Sequence, residues 1–285
     1  MKASALTLVI GLAGITTATA APLDFTVYNP GANGIFPVSS TLVTGKKDAI
    51  LFDAQFSVKD GEQLVKLIHS SGKKLTQIVI TAGDPDYYFG LEPLVKAFPG
   101  VSIVATSRVV SHIEATQKAK LAYWGPKMQD GAPGQLFTPQ VIPQTRFTFE
   151  GQPVEIREAG SQQAYVWFPE EKTLLGGTAV DAGIHVWTAD TQTPESRKEW
   201  RDTLKQMLAL HPRRVIPGHY LGEALPGDQA VSFTLRYLED FERALQLHHD
   251  AATLTRVMEK AWPNLGDVSS LELSAKVNTG EMKWQ

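Results

Sequence analysis

Short apolar runs alternate with helically spaced apolar positions along the first part of the chain. Leu64, Leu67 and Ile68 recur at helical spacing, which predicts a helix over residues 60–70. A second helix is predicted from Leu91 to Phe98 and a third over residues 107–120. The apolar runs between Gly, Asn and Pro turns predict strands at residues 25–28, 40–44, 49–52, 77–80 and 101–105.

The second half repeats this alternation. Thr193 followed by Pro194 is typical of a helix N-terminus, with the threonine as cap and the proline in the first turn. Val215 and Ile216 predict a short strand, and the chain from about Gly227 predicts mainly helix. The remaining strand-like runs are residues 146–149, 154–157, 164–168 and 173–175. Mixed strands and helices of this kind indicate a layered α/β protein, which we interpret as one domain over residues 21–285.

One segment breaks the pattern. From Leu121 to Pro143 the chain is rich in glycine and proline, which predicts a long loop. Loops of this length are usually functional, so this one is a candidate surface for a protein partner.

Composition narrows the chemistry. The chain has 285 residues, 43% of them hydrophobic, a formal net charge of -3 and no cysteine. A chain without cysteine has no thiol nucleophile, thiolate metal site or cysteine-ligated iron–sulfur cluster. Its mild acidity argues against nucleic acid as a partner, because phosphate binding requires a basic surface.

The N-terminus is typical of an export signal. Lys2 precedes an apolar run, and Ala18 and Ala20 provide the small residues of a cleavage site. We therefore predict a signal peptide over residues 1–20, cleavage near Ala20 and a periplasmic or secreted mature protein. The apolar run is too short for stable membrane insertion, which takes about 20 residues.

The most informative segment reads ITAGDPDYYFGL, from Ile80 to Leu91. It resembles the T-H-x-H-x-D-H-x-G loop of the metallo-β-lactamase superfamily. Thr81 and Asp86 match that pattern, whereas alanine, aspartate and tyrosine replace its three histidines. The replaced positions are Ala82, Asp84 and Tyr87.

Three other landmarks occur in the family's order. They are a strand that ends at Asp53, a Gly-Gly-Thr turn that ends at Thr178, and a Pro-Gly-His loop that ends at His219. The resemblance implies the four-layer αββα sandwich of the metallo-β-lactamase type, with the site at one edge of the sheets.

The resemblance also implies that the zinc ligands are mostly absent. Ser161 stands where the family's later histidine would fall, and Thr178 replaces the aspartate that bridges two metals. We therefore expect a degenerate metal site and no zinc cofactor. The residual ligands are Asp84, Asp86 and His219, which leave a weakly bound single divalent metal as the alternative.

Several roles stay open for these residues. Asp84 and Asp86 are either an acid/base pair, one with a raised pKa, or turn residues that cap the next helix. His219 is either a general base or a hydrogen-bond partner of Asp86. Ser161 or Thr178 is a candidate nucleophile if His219 takes its proton.

Other residues are candidates for ligand contacts. His185 follows the Thr178 turn, where related extracytoplasmic members carry a similar G-x-H segment, so it is a candidate contact rather than a loop histidine without a role. Aromatic side chains predict an apolar cleft for a ring-bearing small molecule, with a buried core as the alternative. These aromatic residues are Tyr87, Tyr88, Phe89, Trp124 and Trp187.

Two functional hypotheses follow from the resemblance. The first is an exported small-molecule-binding protein or pseudoenzyme that does not use zinc. The second is a hydrolase for an ester, lactone or amide that uses Asp84, Asp86 and His219 with one atypical metal or none. An interaction module built on the segment from Leu121 to Pro143 is a third hypothesis.

Overall fold

The computed structural model describes residues 21–284. The predicted signal peptide, residues 1–20, lies outside this part of the chain. Among the described residues, no helix is both long enough and apolar enough to cross a membrane.

The first sheet combines antiparallel and parallel strands. Its strands, in their order across the sheet, are β1 (Asp24–Tyr28), β2 (Ser40–Thr44), β3 (Asp48–Phe52), β4 (Lys74–Ile80), β5 (Ser102–Ala105) and β6 (Gln140–Val141). The pairs β1–β2 and β2–β3 are antiparallel, and the neighbouring pairs from β3 to β6 are parallel.

The second sheet is an antiparallel meander with one parallel strand added. Strands β7 (Arg146–Phe149), β8 (Gln152–Arg157), β9 (Tyr165–Phe168) and β10 (Thr173–Leu175) follow in sequence. The last strand, β12 (Arg214–Ile216), pairs in parallel with β10. A separate short pair consists of β11 (Asp181–Ala182) and β13 (His219–Tyr220).

Alternating side chains place the two sheets face to face between helices. In β3, Ile50 and Phe52 pack between the sheets, whereas Leu51 packs under the helices on the outside. In β9, Phe168 packs between the sheets and Trp167 under the opposite helices. This two-sided burial confirms the predicted αββα sandwich.

The helices form the two outer layers. Helices α1 (Val58–Ser71), α2 (Pro85–Tyr88), α3 (Leu91–Ala97) and α4 (Ser107–Met128) follow strands of the first sheet. Helices α5 (Pro194–Ala209), α6 (Gln229–Leu247), α7 (Ala251–Ala261) and α8 (Val268–Asn278) cover the second. The predicted Thr193 cap is confirmed, since its side chain accepts the Ser196 amide.

The predicted loop from Leu121 to Pro143 is wrong over its first third. Helix α4 continues to Met128, through Gly125 and Pro126. Pro126 removes one hydrogen bond from the last turns of this helix, because proline has no amide hydrogen. Trp124 and Met128 pack on the core of the first sheet, and this packing outweighs the weak helix propensity. The expectation of a protein partner on this segment stays a prediction.

Candidate functional site

The loop that resembles the family signature is fixed to the end of β3. Asp53 accepts two hydrogen bonds from Thr81, one from its amide at 2.7 Å and one from its hydroxyl at 2.8 Å. Farther along, Gly90 donates its amide to the Gln55 carbonyl. A Cβ atom at Gly90 would lie 2.1 Å from the Ala54 carbonyl oxygen, so this close approach requires glycine.

Asp84 does not have the capping role that the sequence suggested. It precedes α2, but its side chain makes no cap hydrogen bond there. Instead, its Oδ1 accepts a hydrogen bond from Lys120 Nζ on α4 at 2.8 Å. Burial alone would raise the pKa of Asp84, but the Lys120 ammonium outweighs burial and holds this pKa below its ordinary value. The expectation of a raised pKa is therefore wrong for Asp84.

His219 is held between two carboxylates. Its Nε2 lies 2.6 Å from Asp86 Oδ2, which confirms the predicted hydrogen bond between the two retained ligand residues. Its Nδ1 lies 3.6 Å from Asp181 Oδ1 and 3.4 Å from the Tyr87 hydroxyl. Parallel pairing of β11 with β13 places Asp181 directly beside His219.

Gly218 lets the strand carrying His219 approach the Gly177 turn closely. A Cβ atom at Gly218 would lie 2.0 Å from the Gly177 carbonyl oxygen. The Gly218 amide also donates to the Val180 carbonyl. The Pro-Gly-His segment is therefore fixed against the turn that contains Thr178.

The charge of His219 follows from this arrangement. Burial alone would lower its pKa, but the carboxylates of Asp181 and Asp86 outweigh burial and raise the pKa to about 10. His219 is therefore an imidazolium at neutral pH. An imidazolium has no lone pair for a metal and accepts no proton, so it serves as a cation or an acid.

Asp53 lies beneath this cluster and is itself nearly inaccessible, with 5% of its surface exposed. Burial raises its pKa to about 8, against the opposing effect of the Thr81 hydrogen bonds. Asp53 is therefore mainly protonated at pH 7. A protonated Asp53 still accepts both Thr81 hydrogen bonds, the amide on Oδ1 and the hydroxyl on Oδ2.

We expect Asp53→Asn to leave the free energy of unfolding at pH 7 within about 1 kcal/mol of the parent. Asparagine keeps an acceptor oxygen for the Thr81 amide, and its own amide can donate to the Thr81 hydroxyl oxygen once that hydroxyl rotates. Asp53→Ala should lose about 1–2 kcal/mol, because the Thr81 amide and hydroxyl lose their partner. Asparagine also tolerates the left-handed backbone of this residue, whose φ is 64°. Chemical denaturation measures both variants, and a larger loss for asparagine than for alanine would contradict a neutral Asp53.

Ser161 and Thr178 line the same cavity, but their hydroxyls point to other partners. The Ser161 hydroxyl donates to Gln163 Oε1 at 3.0 Å. The Thr178 hydroxyl donates to the Gln162 carbonyl at 2.7 Å. Neither hydroxyl is hydrogen-bonded to His219 among the described residues, so the nucleophile hypothesis has no geometric support.

The other predicted contact residues divide into two groups. Tyr87, Trp124 and His185 line the cavity together with Trp187. Tyr88 does not line it: its ring is 1% exposed and packs edge-on against Phe89. Its place as a ligand contact is therefore wrong, because the turn of α2 directs it into the core.

His185 is a cavity residue with a structural partner. Its Nδ1 lies 3.0 Å from the Tyr237 hydroxyl on α6. Burial lowers the pKa of His185, so this histidine is neutral at pH 7. It offers the cavity a polar group without charge.

The candidate site residues surround one cavity of about 200 Å³, except Tyr88 and Phe89, which are buried in the core. Its inner part contains Asp86, Asp181 and His219, and Lys120 reaches it from α4. Indole rings line it as well, including Trp284 near the end of the described chain. Such a mixture of apolar walls and a few charged groups is typical of small-molecule sites.

These residues do not fit a zinc centre. Within residues 21–284, no three His, Cys, Asp or Glu side chains are arranged to hold a metal ion. Ala82 offers no donor atom, Asp84 is bound to Lys120, and Asp86 and His219 bind each other. A metal at His219 would have to displace a proton from a group whose pKa is about 10.

Sequence reasoning missed several residues of the cavity, among them Asp181, Lys120, Asp190 and Trp284. None of these four lies in a recognised motif, and each has a partner 36 or more residues away in the chain. The sequence offered one weak signal. Asp181 lies three residues beyond Thr178, in the segment already compared with the family's bridging aspartate.

Comparison with known proteins agrees with this architecture. A family model described as the metallo-beta-lactamase superfamily matches residues 33–219. A metallo-beta-lactamase from Pontibacter korlensis is 22% identical in a match that covers 76% of this chain and 93% of that chain, with a TM-score of 0.54. The crystal structure of VMB-1 at pH 5.5 is 19% identical, with coverages of 76% and 92% and a TM-score of 0.54. No curated protein matches the chain.

Proposed function

Since the chain belongs to the metallo-β-lactamase superfamily, we propose that it is a zinc-independent member that binds a small molecule in the cavity around His219. The superfamily usually binds zinc. Here the two retained ligand residues, Asp86 and His219, bind each other at 2.6 Å. This contact is the observation that carries the proposal.

The electrostatics of the pair support a role without metal. The His219 imidazolium supplies a positive charge between Asp86 and Asp181, where carboxylates without a cation would repel each other. The Lys120 ammonium likewise supplies a positive charge beside the Asp84 carboxylate. Protein cations therefore already lie beside these three carboxylates without a metal, and the indole walls of the cavity remain available to a ligand.

We expect the purified, untagged protein to retain far less than one zinc per chain after zinc loading and removal of free metal. Elemental analysis measures this ratio, and a zinc-binding superfamily member treated in parallel checks the loading. Tightly held zinc at one or two ions per chain would overturn the proposal.

Export after cleavage near Ala20 remains a prediction from the sequence.

A hydrolase that uses Asp84, Asp86 and His219 is the alternative. Its support is that all three side chains line the same cavity. A protonated His219 would then act as an acid rather than a base. A panel of ester, lactone and β-lactam substrates tests this, with His219→Ala and Asp86→Asn as variants. Turnover that survives both changes in folded protein would exclude these residues as its source.

A further inference from the structure

The outer part of the cavity contains a carboxylate held by two indoles. Trp187 Nε1 donates to Asp190 Oδ2 at 2.5 Å, and Trp284 Nε1 donates to Asp190 Oδ1 at 2.9 Å. The two rings meet edge to face, with centroids 5.3 Å apart. Asp190 is thus fixed in position, and each of its oxygens keeps a further lone pair for another donor.

A second carboxylate lies close enough to affect the first. Burial, and next the charge of Asp84, raise the pKa of Asp190. Lys120, which binds Asp84 at 2.8 Å, also acts on Asp190 through its charge. Two carboxylates, Asp84 and Asp190, and the Lys120 ammonium that binds Asp84 therefore all line this cavity.

The cavity as a whole has more acidic than basic groups. Burial lowers the pKa values of His112 and His185, so these two histidines are neutral. The permanently charged basic groups of the lining are Arg108 and Lys120, and His219 is a third basic group. The five carboxyl groups of the lining are Asp84, Asp86, Asp181, Asp190 and Asp267.

The indole walls of the cavity can bind either an ammonium group or an aromatic ring of a ligand. Trp124, Trp187 and Trp284 all line the cavity. Indole faces attract ammonium groups through their negative quadrupole, and they stack with other aromatic rings. An anionic ligand would gain Lys120 and Arg108 but would enter a space in which carboxyl groups outnumber cations.

We propose that the ligand is a cationic amine with an aromatic or similarly apolar body, its nitrogen beside Asp190 and Asp84 and its body against the indoles. This inference rests on the proposed function, since it assigns a chemical class to the small molecule of the same cavity. Asp190 and Trp284 then determine the preference of the cavity for a cationic ligand.

Three probes of similar size and different charge test the class: benzylammonium, benzyl alcohol and benzoate. In NMR titrations at pH 7, we expect benzylammonium to bind about tenfold tighter than benzyl alcohol, which corresponds to 1.4 kcal/mol, and benzoate to bind weakest. The indole N–H signals of Trp187 and Trp284 should shift, because both groups touch the proposed nitrogen site.

Matched variants test whether Asp190 is the source of the preference for a cationic probe. Asp190→Asn should abolish the preference for benzylammonium and leave the affinity for benzyl alcohol nearly unchanged. Asp202→Asn, on the surface of α5 and paired with Lys198, is the control and should keep the preference. An Asp190→Asn protein with an undiminished preference would overturn the assignment of the nitrogen site.

The outcomes separate this inference from the proposed function. If benzoate or benzyl alcohol binds in the cavity as tightly as benzylammonium, the amine class is wrong but small-molecule binding stands. If no probe shifts the indole signals, the amine class is also wrong, and elemental analysis for zinc still tests the zinc-independent function separately.

Discussion

Replacement of His219 by alanine is expected to lower the free energy of unfolding by about 3–5 kcal/mol at pH 7. The change removes the cation between Asp86 and Asp181, whose side chains are only 10% and 6% exposed. Two carboxylates would then share a poorly solvated space without a cation. Removal of one partner from a buried ion pair lowers stability more than replacement of the whole pair by apolar residues does.

Urea denaturation measures the effect, and a double-mutant cycle identifies its cause. Asp86→Asn added to His219→Ala should recover part of the lost stability, because it removes one of the unpaired charges. His249→Ala, at an exposed histidine, should change stability by less than about 0.5 kcal/mol. A loss below about 1 kcal/mol for His219→Ala would show that the imidazolium does not hold the carboxylates together.

Three positions that depart from the family motif have a new hydrogen-bond partner within the chain. Asp84 binds Lys120, Thr178 binds the Gln162 carbonyl, and Ser161 binds Gln163. These contacts lie on separate loops. A zinc site would have to break several of them at once, which supports the proposal that this chain does not use zinc.

Local patterns predicted most of the fold. The bounds of β2, β7 and β10 agree with the predicted strands, because runs of apolar residues between turns determine where strands begin and end. The end of α4 was missed because Gly125 and Pro126 are poor helix formers, and tertiary packing of Trp124 outweighs this propensity. Propensity describes the isolated segment, whereas packing depends on the folded chain.

The candidate site was predictable only where a motif carried it. Asp86 and His219 fall on two family motifs, so their contact could be inferred before the structure was known. The contacts of Asp84 with Lys120 and of Asp190 with Trp284 depend on how distant helices and the C-terminal segment are placed. No periodicity in the sequence encodes such placements, and neither contact was expected.

The free energy of unfolding should fall as the pH rises from 6 to 10. Asp53 and His219 both have folded-state pKa values above their ordinary values, about 8 and about 10. Each group therefore binds its proton more tightly in the folded state. Its contribution is complete below the unfolded pKa, which is about 3.9 for aspartate and about 6.5 for histidine, and is lost as the pH rises through the folded value.

The two contributions end at different pH values, which lets two variants separate them. Between pH 8 and 9 His219 still holds an extra proton, so stability should fall by about 1.4 kcal/mol over this unit. Burial also raises the pKa values of tyrosines such as Tyr87 and Tyr237, but their effect begins only at about pH 10, where unfolded tyrosine titrates. Denaturation curves of His219→Ala should be nearly flat from pH 8 to 9, whereas Asp53→Asn should lessen the decline below pH 8 and keep it above. A parent protein equally stable at pH 8 and pH 9 would show that His219 is neutral, with a free nitrogen that could again serve as a base or a metal ligand.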